Sequence, residues 1–129
     1  MPFDYAVYKD LRLIVSTGKG LVTWQEIMAR QDQTKTDPNF DPEFNQIVDL
    51  RSVTALDLSA GQIRLLATRS IFSPSSKRAF VATSPVVFGV GRMWETYTEF
   101  SDHPNEVRVF YDMSAALQWL GLASMPHSC

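Results

Sequence analysis

Apolar residues recur along this chain in two rhythms, and the switches between them predict its elements. Phe3, Tyr5 and Val7 alternate with Asp4, Ala6 and Tyr8, the period of a strand with one buried face. After the polar break Lys9-Asp10, Leu11, Leu13 and Val15 alternate again, so the first two strands form a hairpin or lie as close neighbours. Thr17-Gly18-Lys19-Gly20 reads as a glycine-rich turn that ends the second strand. Thr23 and Glu26 have the spacing of a capping box, and Trp24, Ile27 and Met28 carry a first helix to about Asp32.

Asp37-Pro38-Asn39-Phe40 and Asp41-Pro42-Glu43-Phe44 repeat one short pattern, read as two capped turns that fold both phenylalanines onto the core. Ile47-Val48-Asp49-Leu50 is a continuous apolar run apart from Asp49, which predicts a central strand over residues 45–50. Ile63, Leu66 and Ala67 share one stripe of a second helix from Leu58 to about Ser70. Pro74 breaks the chain before a strand at Ala79-Phe80-Val81-Ala82, and Ser84-Pro85 opens a third helix, with the serine as cap. Val86, Val90, Met93, Trp94 and Tyr97 form the core-facing stripe of that helix, which ends near Phe100. Val107, Val109 and Tyr111 alternate in a fifth strand. Asp112 then caps a helix carrying Ala116, Leu117 and Leu120, which Gly121 stops.

Strands alternating with single helices imply right-handed crossovers and a mostly parallel sheet, with only the first strand free to run antiparallel. The predicted fold class is therefore α/β: one domain over residues 1–122, a mixed five-strand sheet with about four helices, and a loose tail over 123–129.

Composition narrows the function classes. Twelve basic and fourteen acidic side chains leave a net charge of −2 with the signs interspersed, so no nucleic-acid or anionic-membrane footprint is present. The single cysteine, Cys129, excludes an intramolecular disulfide and a cysteine-based metal site within the chain. The start, Met1-Pro2-Phe3-Asp4, lacks the features of a signal peptide, and no apolar run reaches membrane-spanning length. The expectation is a soluble cytoplasmic protein without stable membrane insertion.

Catalytic chemistry finds little support. His103 lies in a polar turn and His127 in the tail, and neither has a neighbour that completes a ligand set or a general-base pair. Gly18-Lys19-Gly20 lacks P-loop spacing, and Gly89-Val90-Gly91 lacks the third glycine of a dinucleotide motif. No catalytic residue, metal site or cofactor is therefore assigned. Asp49 and Asp57 stand at strand ends, where ligands gather in parallel α/β sheets and where helix caps also occur.

The segment Val48-Asp49-Leu50-Arg51 through Asp57-Leu58-Ser59-Ala60-Gly61 resembles the signature of the STAS domains of anti-sigma factor antagonists, and the element order is similar over nearly the whole chain. With Phe88-Gly89-Val90-Gly91-Arg92-Met93 and Ala115-Ala116-Leu117-Gln118-Trp119-Leu120, it resembles a branch of small bacterial STAS-like proteins that is also similar to lipid-binding Sec14-type domains. The resemblance implies a regulatory surface at Asp57, Ser59 and Gly61, with Asp49 nearby, and makes Ser59 the counterpart of the phosphorylated serine. Leu58 replaces the first serine of that motif, Ala60 replaces its glycine, and Gly61 comes one residue late. Taken on their own, Ser59 and Asp57 read as helix caps before they read as a switch.

Two non-enzymatic functions follow. The first is a regulatory or protein-interaction module that meets an unknown protein partner at the start of the second helix. The second is a carrier that holds a small apolar or lipid-like ligand between the third helix and the sheet. Phe88, Gly89, Met93 and Trp94 are the candidate contacts for such a ligand or for a homodimer, because the third helix carries more large apolar side chains than one stripe can bury.

Overall fold

The computed structural model describes residues 2–101 and 105–126. Along the chain run β1 (Phe3–Tyr8), a 3₁₀ turn (Lys9–Leu11), β2 (Leu13–Thr23), α1 (Trp24–Thr36) and β3 (Asn45–Asp57). They are followed by α2 (Ala60–Thr68), β4 (Lys77–Val81), α3 (Pro85–Glu99), β5 (Glu106–Phe110) and α4 (Met113–Leu120). The five strands lie in the order β1-β2-β3-β4-β5, with β3 central as its apolar run predicts. β1 pairs antiparallel with β2, and every other pairing is parallel.

This order decides where the helices go. A sheet that grows in one direction through right-handed crossovers places each crossover helix on the same face. Accordingly α1, α2 and α3 share one apolar cluster with Val22, Val48, Leu50, Val53, Phe80 and Val107. α4 follows the last strand and packs on the opposite face against Leu13, Val15, Ile47, Ala79 and Val81, where Leu122 and Met125 also pack.

The helix starts follow the expected chemistry, with one exception. Thr23 accepts from the Glu26 backbone N–H at 3.3 Å while Glu26 accepts from the Thr23 N–H at 3.2 Å. Ser59 and Gln62 repeat the arrangement at α2, and the Asp112 carboxylate caps α4 by accepting from Ser114 N–H at 2.8 Å. Ser84 holds the cap position of α3 but makes no side-chain cap bond; Pro85 supplies the preset first turn. α1 also runs past Asp32, to Thr36.

Two expectations are corrected in the sheet. The glycine-rich segment at Thr17–Gly20 is not a turn: β2 continues through it to Thr23, and β3 continues past Leu50 to Asp57. The pairing is parallel throughout, with register shifts at Thr17/Lys19 and Gly20/Leu21. Glycine is what permits this. Gly20 takes φ of +64°, and a Cβ on Gly18 would lie 2.8 Å from Val53 Cγ2. β2 and β3 therefore project beyond β4 and β5 as a two-stranded ribbon.

The buried stripe of α3 is also rotated from the predicted one. Val87, Gly91, Trp94 and Thr98 face inward, whereas Val86 is 77% exposed. A Cβ on Gly91 would meet Val109 Cγ2 at 2.7 Å, so this glycine sets the closest approach of α3 to β5. Val87 thus belongs to the core, and Val86 to the surface, as does Phe100 at 80% exposed.

Candidate functional site

On the three-helix face of the sheet, one row of side chains breaks the apolar surface. Strand alternation sends Ser16, Gln46 and Arg78 to this face from β2, β3 and β4, and Gln46 and Arg78 stand directly opposite in register. Arg78 Nε donates to Gln46 Oε1 at 2.8 Å, and Gln46 Nε2 donates to Ser16 Oγ at 2.9 Å. Each link fixes the next: the carbonyl end of the glutamine must face the arginine, which leaves its amide for the serine. All three residues are buried.

Arg78 is 4% exposed, yet no acidic group among the described residues pairs with it. The rings of Phe72, Phe80 and Trp94 surround the guanidinium, with centroids 4.6, 5.6 and 5.9 Å from its central carbon. Its Nη1 has no hydrogen-bond partner among the described residues. Burial pushes the pKa down to about 10, so the group remains a cation at neutral pH. Ring faces offset part of the lost hydration. A neutral glutamine and a serine do not neutralise the charge.

The row borders a cavity of about 70 Å³. Its floor is Ser16, Gln46, Val48, Leu50, Arg78 and Phe80 of the sheet; its walls come from α1 through Ile27, Gln31 and Thr34 and from α3 through Val90, Gly91 and Trp94. Leu56 and Leu58 contribute from the end of the ribbon and Ile71 and Phe72 from the α2–β4 connection. The space exceeds that of one water molecule several-fold, and the lining is mainly apolar. Arg30 is the second cation at the wall. It donates through Nε to Phe3 O at 2.9 Å and through Nη1 to Gln33 at 2.9 Å, and Asp4 lies 3.5 Å from Nε.

The residues selected from sequence are distributed over several places. Asp57 ends β3, and Ser59 and Gly61 stand exposed at the start of α2. The Ser59 hydroxyl is engaged in its cap, and a Cβ on Gly61 would lie 3.9 Å from it, at ordinary contact distance. Asp49 is not with them: eight residues of extended strand, about 25 Å, separate it from Asp57. It accepts from Arg51 at 3.0 and 2.9 Å instead. Of the four α3 residues, Trp94 borders the cavity, and its Nε1 has no partner. Phe88 stacks on Tyr111 with centroids 3.7 Å apart, so part of its surface is covered within the chain. Met93 packs against the core, while Gly89 is exposed with nothing near its Cβ position. His103, His127 and Cys129 lie outside the described residues.

Sequence reasoning missed Ser16, Gln46 and Arg78. The signal was a polar residue at inward positions of three strands: Ser16 after Ile14, Gln46 before Val48, and Arg78 before Phe80. It was hidden because β4 was begun at Ala79, one residue after the arginine.

No family model and no curated protein sequence matches the chain. Among solved structures, an uncharacterized protein of the DUF3478 family with a SpoIIAA-like fold, from Shewanella loihica PV-4, aligns at a TM-score of 0.59. The alignment covers 92% of this chain and 91% of that one, at 17% identity. The fold is SpoIIAA-like. Architecture and strand order thus agree with the STAS-like reading, and the likeness extends to fold alone. Among the described residues no helix of the SpoIIAA-like domain is long and apolar enough to cross a membrane.

Proposed function

We propose that this chain is a non-enzymatic binding module that holds a small molecule with an apolar body in the cavity between the sheet, α1 and α3. The cavity itself carries the reading: mainly apolar walls around a space open to a ligand, with Ser16, Gln46 and Arg78 in a row on the floor and Tyr5, Arg30, Gln31 and Thr34 at the wall. Its lining contains no carboxylate, histidine or cysteine, so its hydroxyls, on Tyr5, Ser16 and Thr34, have no such base among the lining residues to activate them. The role corresponds to the carrier function that Sec14-type resemblance implies.

The test is native mass spectrometry of the purified protein, followed by titration with 1-octanol as a neutral apolar probe. Saturable binding that Val90→Trp abolishes without unfolding the chain supports the reading. An empty protein with no saturable binding of apolar probes refutes it.

A regulatory role at the start of α2 is the second reading. Ser59 is exposed there, and a phosphate at the first turn of a helix meets free N–H groups and the favourable end of the dipole. A partner interaction that survives both Ser59→Glu and Asp57→Ala unchanged would remove that reading.

A further inference from the structure

We propose that the ligand of this cavity is a monocarboxylic acid with an apolar body, its carboxylate seated against Arg78. This rests on the cavity reading and adds the chemistry of the head group.

Charge decides the head group. Folding strips water from the Arg78 guanidinium, and a stripped cation with no counter-ion among the described residues is costly. The groups around it are three aromatic rings and one neutral amide, which takes only Nε. Nη1 is left with a donor and no acceptor. Arg30, the other cation at the wall, already has a backbone carbonyl, Gln33 and Asp4 around it. The unmet demand at this cavity is therefore one negative charge and at least one acceptor, located at the Arg78 end of the polar row.

A carboxylate supplies one charge and two acceptor oxygens, in the planar form that a guanidinium binds best. A phosphate monoester brings close to two charges, and the second would stay unbalanced in the same apolar surroundings. A neutral alcohol supplies an acceptor and no charge. Most of the remaining lining is apolar, with Val48, Leu50, Leu56, Leu58 and Val90 facing a wall that also holds Tyr5, Arg30, Gln31 and Thr34, and this calls for a mainly apolar body. Aliphatic and aromatic acids of modest size meet both demands.

Calorimetric titration of the intact chain with octanoate, 1-octanol and octyl phosphate tests this. Octanoate should bind about tenfold or more tightly than 1-octanol, the scale of a charge-assisted hydrogen bond in a dry site. Arg78→Gln should erase that preference, bringing octanoate to the affinity of 1-octanol in the same variant. A measurement on the unaltered protein gives the same answer without relying on the variant's folding. Octanoate affinity should fall as pH is lowered through about 5 to 4, where carboxylates protonate, with 1-octanol affinity unchanged. Equal binding of acid and alcohol overturns the head-group assignment and leaves the cavity reading standing. A preference that survives Arg78→Gln in a folded protein, or tighter binding of octyl phosphate than of octanoate, also overturns it. Failure of all three probes to bind overturns both.

Discussion

Two glycines on one helix, substituted identically, should shift stability in opposite directions. Gly89 and Gly91 both lie inside α3, so each costs about 1 kcal/mol of helix propensity relative to alanine. Gly89→Ala recovers that amount, because nothing lies within 4 Å of the new methyl group. Gly91→Ala recovers the same amount but drives its methyl to 2.7 Å from Val109 Cγ2 and 3.1 Å from Val109 Cβ. Overpacking of this kind costs about 1–3 kcal/mol. Gly89→Ala should therefore be stabilising by about 0.5–1 kcal/mol, and Gly91→Ala should run from neutral to destabilising by about 2 kcal/mol. The difference between the two variants is the cleaner quantity, because helix propensity cancels and the steric term alone remains, about 1–3 kcal/mol. Urea denaturation measures it, provided both variants keep the slope of the parent. In a chain of 129 residues, 1 kcal/mol moves the melting temperature by about 4 °C. If the two midpoints rise together, α3 does not approach β5 as closely as described, and the wall of the cavity at Gly91 is misplaced with it.

Gln46→Leu removes the only acceptor among the described residues bonded to the Arg78 side chain and should cost about 2–4 kcal/mol, whereas Gln46→Leu with Arg78→Met should cost less than the first change alone; additive costs would show that the row is not one network. Thr23→Ala and Ser59→Ala should each lower stability by about 1 kcal/mol in denaturant titrations, with Ser59→Asp near the parent because aspartate also caps; an equal loss for Ser59→Asp would refute the capping role. The Asn39 backbone N–H, and after it the Tyr5 hydroxyl, hold the Asp37 carboxyl below its usual value. A lowered folded pKa gives stability that is present above the unfolded pKa, near 4, and lost as pH falls through the folded value. Asp37→Asn should therefore flatten the stability-against-pH curve below about pH 4, and an unaltered slope would remove Asp37 from the account.

What the sequence determined by itself was the order of elements and the centre of the sheet. Periods of two and of three to four residues are local properties, and the capping pairs Thr23/Glu26 and the caps Ser59 and Asp112 act within one helical turn. The apolar run at Ile47-Val48 is enough to place β3 at the centre, because only a strand covered on both faces has no polar side to show. Where the reading stopped short, the deciding contact was distant in sequence. Gly18 and Gly20 read as a turn, since nothing local shows that Val53 will approach Gly18 across a parallel pairing. The stripe of α3 could be drawn through Val86 or through Val87 until Gly91 met Val109 and fixed the rotation of the helix. The polar row was the least legible feature. Ser16, Gln46 and Arg78 are separated by roughly thirty residues at each step and mean little singly. Only three parallel strands in register, folded under helices that exclude water, turn them into a buried line with one unbalanced charge beside a cavity.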